Sequence, residues 1–194
     1  MADYTFYTNP MSRGQIVLVD WKAKPAALLA ANPMGKVPAL VHHAGDKNRV
    51  VTEAAAICLY LAEMHPEAEL LPNDSEMADY YRWTFFAAGP VEQAITARNF
   101  RFEPSPEQEG MAGWGNFDRS VRALDGHLSH VEWICGDRFT MADVYVGSTV
   151  DWGLNFGILP PLPSFAAYAE RCQARAAYKD AKAIDNALIA DMKK

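Results

Sequence analysis

The sequence predicts two domains of different class, a small α/β domain ending near residue 68 and then an all-helical domain of about 115 residues. Three observations predict it. Short β-prone runs alternate with helical ones only before residue 68. Residues 65–74, with two prolines and three acidic residues, interrupt the pattern. Beyond them every apolar periodicity is helical. The expected layout is therefore a domain over 1–68, a linker over 69–75 and a helical domain over 76–194.

The aromatic run 4–7 reads as a strand, and Thr8-Asn9-Pro10-Met11 as a turn before Ser12, a good helix N-cap residue. Residues 16–21 are ambiguous, whereas 25–31 is an Ala/Leu-rich short helix stopped by Asn32-Pro33-Met34-Gly35. Residues 37–42 and 49–51 read as a hairpin around 44–48, and Thr52 opens an apolar helix to about Met64. In the second half, Asn73 and Glu76 have capping-box spacing before an aromatic helix that should kink at Gly89-Pro90. Phe117, Val121, Leu124, Leu128, Val131 and Ile134 recur at helical spacing. Thr140 and Asp143 form another capping-box pattern, with Phe139 placed to staple onto Val144. Helices from Ser164 and over 181–192 complete the chain.

Of 194 residues, 50% are hydrophobic and 22% charged, which is ordinary globular composition and excludes disorder or collagen. The net charge of −6, with no basic stripe, argues against a nucleic-acid partner. No run approaches the roughly 18 apolar residues of a membrane span, and the N-terminus lacks a signal-peptide pattern, so a soluble chain is expected with no membrane partner. The three cysteines, Cys58, Cys135 and Cys172, are widely spaced and odd in number, which suits a reducing cytoplasm and no structural metal.

Three local features could carry chemistry. Ser12 at a helix N-terminus either caps the helix or donates its hydroxyl to an anion such as a thiolate, in a field that lowers thiol pKa values. Pro38 begins a β-prone run where it cannot join a ladder, leaving the amide and carbonyl of Val37 open to an extended peptide, or else is an ordinary turn proline. The helix after Thr52 begins Glu53-Ala54-Ala55-Ala56, so its first amides meet no side-chain acceptor and are open to a carboxylate, while Glu53 can pair with an ammonium or simply favour the helix start.

Taken in order, Tyr7-Thr8-Asn9-Pro10-Met11-Ser12-Arg13-Gly14, Asn32-Pro33-Met34-Gly35-Lys36-Val37-Pro38-Ala39-Leu40 and Val51-Thr52-Glu53-Ala54-Ala55-Ala56-Ile57 resemble the successive glutathione-site motifs of the glutathione S-transferase family, in its bacterial Ser/Cys-type members. Gly136-Asp137-Arg138-Phe139-Thr140-Met141-Ala142-Asp143 is similar to the capping box of that family's helical domain. The resemblance implies a thioredoxin-like N-terminal domain followed by a helical bundle, and a cytoplasmic homodimer that uses glutathione as cosubstrate. It also implies roles. Ser12 would contact the glutathione sulfur, Val37 would pair with the cysteinyl backbone with Pro38 in the cis form, Lys36 would reach the glycyl carboxylate, and Glu53 would hold the γ-glutamyl amine. Tyr7 is close to where Tyr-type members keep their hydroxyl and is a reserve candidate, otherwise core.

The chain departs from the family's pattern twice. Ala54 stands where members usually have Ser, leaving only a backbone amide for the γ-glutamyl carboxylate, a loss worth about 1.5 to 3 kcal/mol. Residues 12–24 are also too few for a first helix, a loop and a second parallel strand, since a crossover alone takes about a dozen residues. Either the helix is kept and the edge strand lost, or residues 16–19 become strand and the helix is lost, or a segment is missing from the chain. The implied function is transfer of glutathione thiolate to a small apolar electrophile. Its alternative is a non-catalytic binding protein of the same fold, motivated by these departures.

Trp152, Asn155 and Phe156 could line an apolar acceptor pocket or simply pack between helices. His127 and His130 lack a carboxylate or Cys partner at metal-ligand spacing and read as a solvated face. The aromatic stretch 80–86 exceeds what one buried face needs, which suggests a dimer interface or packing between domains.

Overall fold

The β-prone aromatic run forms β1 (Tyr4–Thr8), the strand on which the first sheet is assembled. The structure, a computed structural model, describes residues 4–8, 17–20 and 22–192, so Ser12 and the predicted first helix lie outside the described residues. β2 (Val17–Leu18) pairs in parallel with β1, Tyr7 opposite Val17 and Thr8 opposite Leu18. The edge strand is thus present in shortened form within the 16–19 run. Residues 9–16 alone join the two strands, fewer than the dozen or so of an ordinary parallel crossover.

β3 (Ala39–Ala44) and β4 (Lys47–Thr52) form an antiparallel hairpin, β3 also pairs antiparallel with β1, and the sheet order is β2-β1-β3-β4. The hairpin is tighter than expected. Gly45 adopts φ +62°, open to a residue without Cβ, so the connection closes over Gly45 and Asp46 and both strands lengthen. Thr52 is likewise the last residue of β4 rather than the start of a helix, because its backbone continues the ladder opposite Ala39.

Helices α1 (Ala26–Ala31) and α2 (Ala54–Met64) pack on this sheet through β3. Tyr7, Val19, Leu28, Ala39 and Val41 form a buried cluster against which Ala31 and Val37 pack. Leu40 is buried as well, so successive β3 residues are covered on both faces. At the other end of β3, His42 bonds the Tyr60 hydroxyl (2.7 Å), and His43 spans from Thr5 of β1 (2.8 Å) to Asn48 of β4 (2.9 Å).

The chain divides into two compact units, Met1–Met64 with Arg175–Lys194, and His65–Ala174. In the second, α3 (Met77–Phe86) runs through a π-helical turn, Ala87–Val91, into α4 (Glu92–Asn99). The turn contains Pro90, which has no amide proton to donate, and a widened turn is one way a helix continues past it. After the short α5 (Pro106–Glu109) come α6 (Phe117–Leu128), α7 (Met141–Asn155) and α8 (Pro163–Ala174). The last helix, α9 (Ala176–Met192), groups with the first unit.

α6 stops at Leu128, earlier than its apolar spacing implies, because the amide of Ile134 is taken by Asp143 (2.7 Å) instead of a helical carbonyl. α7 is the core helix of this unit and packs against α3 and α8. Its two glycines allow close approach: a Cβ on Gly147 would lie 2.6 Å from Cys172 Sγ, and one on Gly153 2.5 Å from Leu159.

Candidate functional site

The sheet register gathers three separate chain segments at one end of the first unit. Tyr7, Ala39 and Thr52 stand in one row across β1, β3 and β4. Val37 and Pro38 immediately precede this row, Glu53 and Ala54 immediately follow it, and β1 ends one residue past it at Thr8. Three neighbouring strands span about 10 Å, roughly the length of an extended tripeptide.

The Val37–Pro38 peptide bond is cis. Val37 is half-buried, and its amide and carbonyl take no partner among the described residues, which leaves an open edge for an extended ligand. The loop that presents it is fixed by Asn32, a buried residue. The Asn32 side chain donates from Nδ2 to the Lys36 carbonyl (3.0 Å) and accepts from the Met34 amide at Oδ1 (3.1 Å). The Asn32 carbonyl accepts from the amide of Gly35 (2.7 Å), where φ is +60° and a Cβ would meet Leu29 and Lys24 at 3.0–3.2 Å. Sequence reading treats Asn32 as a helix stop; its role as the loop's organiser shows only in its burial and its two side-chain bonds, with no local pattern to mark it. Lys36, beside it, is exposed.

Glu53 is not in the first turn of α2 as the sequence suggests. It sits at the boundary with φ 67°, and its carbonyl accepts the first helical bond, from the Ile57 amide (2.9 Å). A left-handed non-glycine backbone costs on the order of 1 to 3 kcal/mol and clusters at functional sites. The conformation leaves the amides of Ala54, Ala55 and Ala56 ahead of the helical ladder, where the helix field favours an anion. The Glu53 carboxylate is exposed and pairs with no cation among the described residues. Tyr7 lies in the buried cluster.

In the second unit the Thr140–Asp143 box forms. Asp143, almost fully buried, accepts at Oδ2 from the Thr140 amide (2.8 Å) and hydroxyl (3.2 Å), and at Oδ1 from the Ile134 amide (2.7 Å) and Tyr168 hydroxyl (2.8 Å). Burial, opposed by these four donors, leaves its carboxyl above the usual range and holds the Tyr168 hydroxyl well above its own. Phe139 meets Trp133 edge-on at 5.0 Å. Arg138 ties the start of α7 to the start of α3: it grips Glu76 with Nε and Nη2 and donates to the carbonyls of Glu69 (2.7 Å) and Leu71 (2.6 Å). Burial pushes the Glu76 carboxyl up, but Arg138 and the Asn73 amide more than offset this and hold it below the usual range.

Trp152 and Phe156 lie together, ring centroids 5.0 Å apart, and Phe156 is exposed; Asn155 donates to Asp151 (3.1 Å). None of the three lines the cavity of about 560 Å³ between α4, α6 and residues 154–162. His127 is stacked on Trp83 (4.1 Å) and bonds the Ile134 carbonyl (2.8 Å), so it is a packing residue rather than part of a solvated face; His130 is exposed. No disulfide joins the three cysteines, and burial pushes the Cys135 thiol up to about 11.

Residues 13–64 match the family model described as glutathione S-transferase, N-terminal domain, and residues 92–171 the one described as glutathione S-transferase, C-terminal domain. The chain is also 30% identical over 156 residues to glutathione S-transferase GstA of Escherichia coli O157:H7, covering 78% of this chain and 75% of that one. The chain belongs to the glutathione S-transferase family. A maleylacetoacetate isomerase of Pseudomonas aeruginosa is 28% identical over 215 residues, covering 93% of this chain and 95% of that one. Among solved structures, a glutathione transferase of Methylococcus capsulatus superposes with TM-score 0.72 at 27% identity, over 94% of this chain and 98% of that one. A sphingomonad glutathione S-transferase complexed with glutathione superposes with TM-score 0.69 at 25% identity, over 93% and 98%. The fold expected from the motifs, a shortened thioredoxin-like part and then a helical part, is the fold of this family member.

Proposed function

We propose that this glutathione S-transferase family member binds reduced glutathione across the end of the first unit's sheet and transfers its thiolate to a small apolar electrophile. The observation that carries the reading is the row Tyr7–Ala39–Thr52, which sets the open Val37 backbone beside the strained start of α2 within the span of one tripeptide. In this reading Val37 pairs with the cysteinyl backbone ahead of Pro38, Glu53 takes the γ-glutamyl ammonium, and the Ala54–Ala56 amides take the γ-glutamyl carboxylate. Lys36 reaches the glycyl carboxylate.

Ser12, four residues past the end of β1, donates a hydrogen bond to the sulfur. Such a bond to a charged group is worth about 1.5 to 3 kcal/mol, or one to two pKa units. A thiol of pKa about 8.5 then rises from about 3% thiolate at pH 7 to between about 24% and 76%. The ring pair of half-buried Trp152 and exposed Phe156 offers apolar acceptor surface, with Asn155 as its polar neighbour. Met77, Tyr81 and Phe85, one helical turn apart on α3 and each more than 40% exposed, supply a stripe suited to a homodimer. Cysteines without disulfides suit a reducing cytoplasm, and among the described residues no helix is long and apolar enough to cross a membrane.

Ala54 favours the second reading, a non-catalytic binding protein of this fold. Ser12→Ala separates the two. As an enzyme, the variant loses turnover of an activated aryl halide while its glutathione Kd stays within about threefold; an unchanged rate removes Ser12 from the mechanism. A wild type that binds glutathione but turns over neither an aryl halide, a disulfide nor a cis-enone selects the binding protein.

A further inference from the structure

We propose that Thr5, His43 and Asn48 form a second reactive site, in which the Thr5 hydroxyl accepts an acyl group from an activated ester. The residues come from β1, β3 and β4 and are bonded in series: Thr5 Oγ1 lies 2.8 Å from His43 Nε2, and His43 Nδ1 lies 2.9 Å from Asn48 Oδ1. Asn48 stands directly opposite His43 in the β3–β4 ladder, and Thr5 stands opposite Val41 on β1, so the sheet register fixes the spacing.

The partners also fix the proton. An amide oxygen only accepts, so the bond to Asn48 keeps the proton of the neutral imidazole on Nδ1 and leaves Nε2 with its lone pair. Thr5 is then the donor, its hydroxyl aimed at a base that a further group orients. Hydroxyl, imidazole and side-chain acceptor in that order are the parts of an activated nucleophile.

The site is separate from the row Tyr7–Ala39–Thr52. His43 is four residues along β3 from Ala39, about 13 Å of extended strand, and the glutathione reading uses none of these side chains. Paired and alternate residues share a face, which puts Thr5, Val41, His43, Asn48 and Val50 on one side of the sheet. Thr5 and His43 are half-buried and Asn48 is exposed. Buried Val41 and exposed Val50 give the same face an apolar floor for a short acyl chain.

In the step, Thr5 Oγ1 attacks the acyl carbon as its proton passes to His43 Nε2. The Oγ1–acyl bond forms, the bond from the acyl carbon to the leaving oxygen breaks with its electron pair going to that oxygen, and His43 returns the proton to the leaving group or to water. Aryl esters suit the site because the aryl oxide carries its own charge on departure.

The test treats the full chain with 4-nitrophenyl butanoate in the absence of glutathione, reading nitrophenolate release by absorbance and the position of the acyl group by peptide mass spectrometry after acid quench. The expected result is butanoyl on Thr5, with release slowed at least about 100-fold in Thr5→Val and in His43→Gln. Asn48→Ala should slow it at least about tenfold, whereas Asn48→Asp, which keeps the acceptor, and Thr5→Ser, which keeps the hydroxyl, should retain most of the rate. Release unchanged in His43→Gln, or acyl groups absent from Thr5 and confined to lysines or the amino terminus, would overturn the proposal.

Discussion

Asn32→Ala tests whether the site is held from behind rather than by the residues that would touch a ligand. The substitution removes two side-chain hydrogen bonds, to the Lys36 carbonyl at 3.0 Å and from the Met34 amide at 3.1 Å. At about 0.5 to 1.5 kcal/mol each, the loss is about 1 to 3 kcal/mol. It falls on the loop that orients Val37, so part of the ordering cost moves into the binding step; with every 1.4 kcal/mol worth tenfold, the whole loss would raise the glutathione Kd about 5- to 140-fold, which bounds the expected rise from above. Asn32→Asp keeps the acceptor for Met34 but sets a carboxylate against the Lys36 carbonyl, so it should rescue little. Urea unfolding gives the stability term and calorimetric titration the affinity. An Asn32→Ala protein whose stability and glutathione affinity both match the wild type would refute the reasoning.

Other consequences follow from the second unit. Asp143→Ala strands the buried Ile134 and Thr140 amides and the Tyr168 hydroxyl and should cost at least about 3 kcal/mol in urea unfolding. Gly147→Ala drives a Cβ to 2.6 Å from Cys172 Sγ and should cost about 1 to 3 kcal/mol, much of it recovered in the double variant with Cys172→Ala. Because the folded-state pKa of Glu76 is lowered, the unfolded chain takes up the proton first; its contribution is present above the ordinary glutamate range and is lost as pH falls through the folded value. Stability measured against pH should therefore fall more steeply in acid for the wild type than for Glu76→Gln, a comparison that leaves Asp143, shifted the other way, in both proteins. With its thiol pushed up to about 11, Cys135 should resist iodoacetamide at pH 7.5 in the native state and react only on unfolding, as peptide mapping would report.

Much of the architecture is legible in the chain because local chemistry and tertiary context agree there. The Asn73–Glu76 and Thr140–Asp143 boxes form the bonds their spacing implies. Where they compete, the sequence misleads. The apolar repeat from Phe117 continues to Ile134, yet a buried carboxylate nine residues on captures the Ile134 amide and the helix ends first. The hairpin looks looser than it is because Gly45 alone supplies the tight turn. The candidate site shows the same division. Val37, Pro38, Lys36, Glu53 and Ala54 stand out by motif, and register alone brings them to one end of the sheet. The positive φ of Glu53 and the role of Asn32 are tertiary facts with no local pattern, since an Asn before Pro reads as a stop wherever it occurs.

In the proposed function this end of the sheet holds glutathione despite the shortened first segment and the absent hydroxyl at Ala54. Titrating the folded wild-type protein with reduced glutathione in a calorimeter tests it most directly. The expected result is saturable heat at one site per chain, weakened by Glu53→Gln and Lys36→Met; no heat at millimolar glutathione, with circular dichroism confirming the fold, would overturn the proposed function.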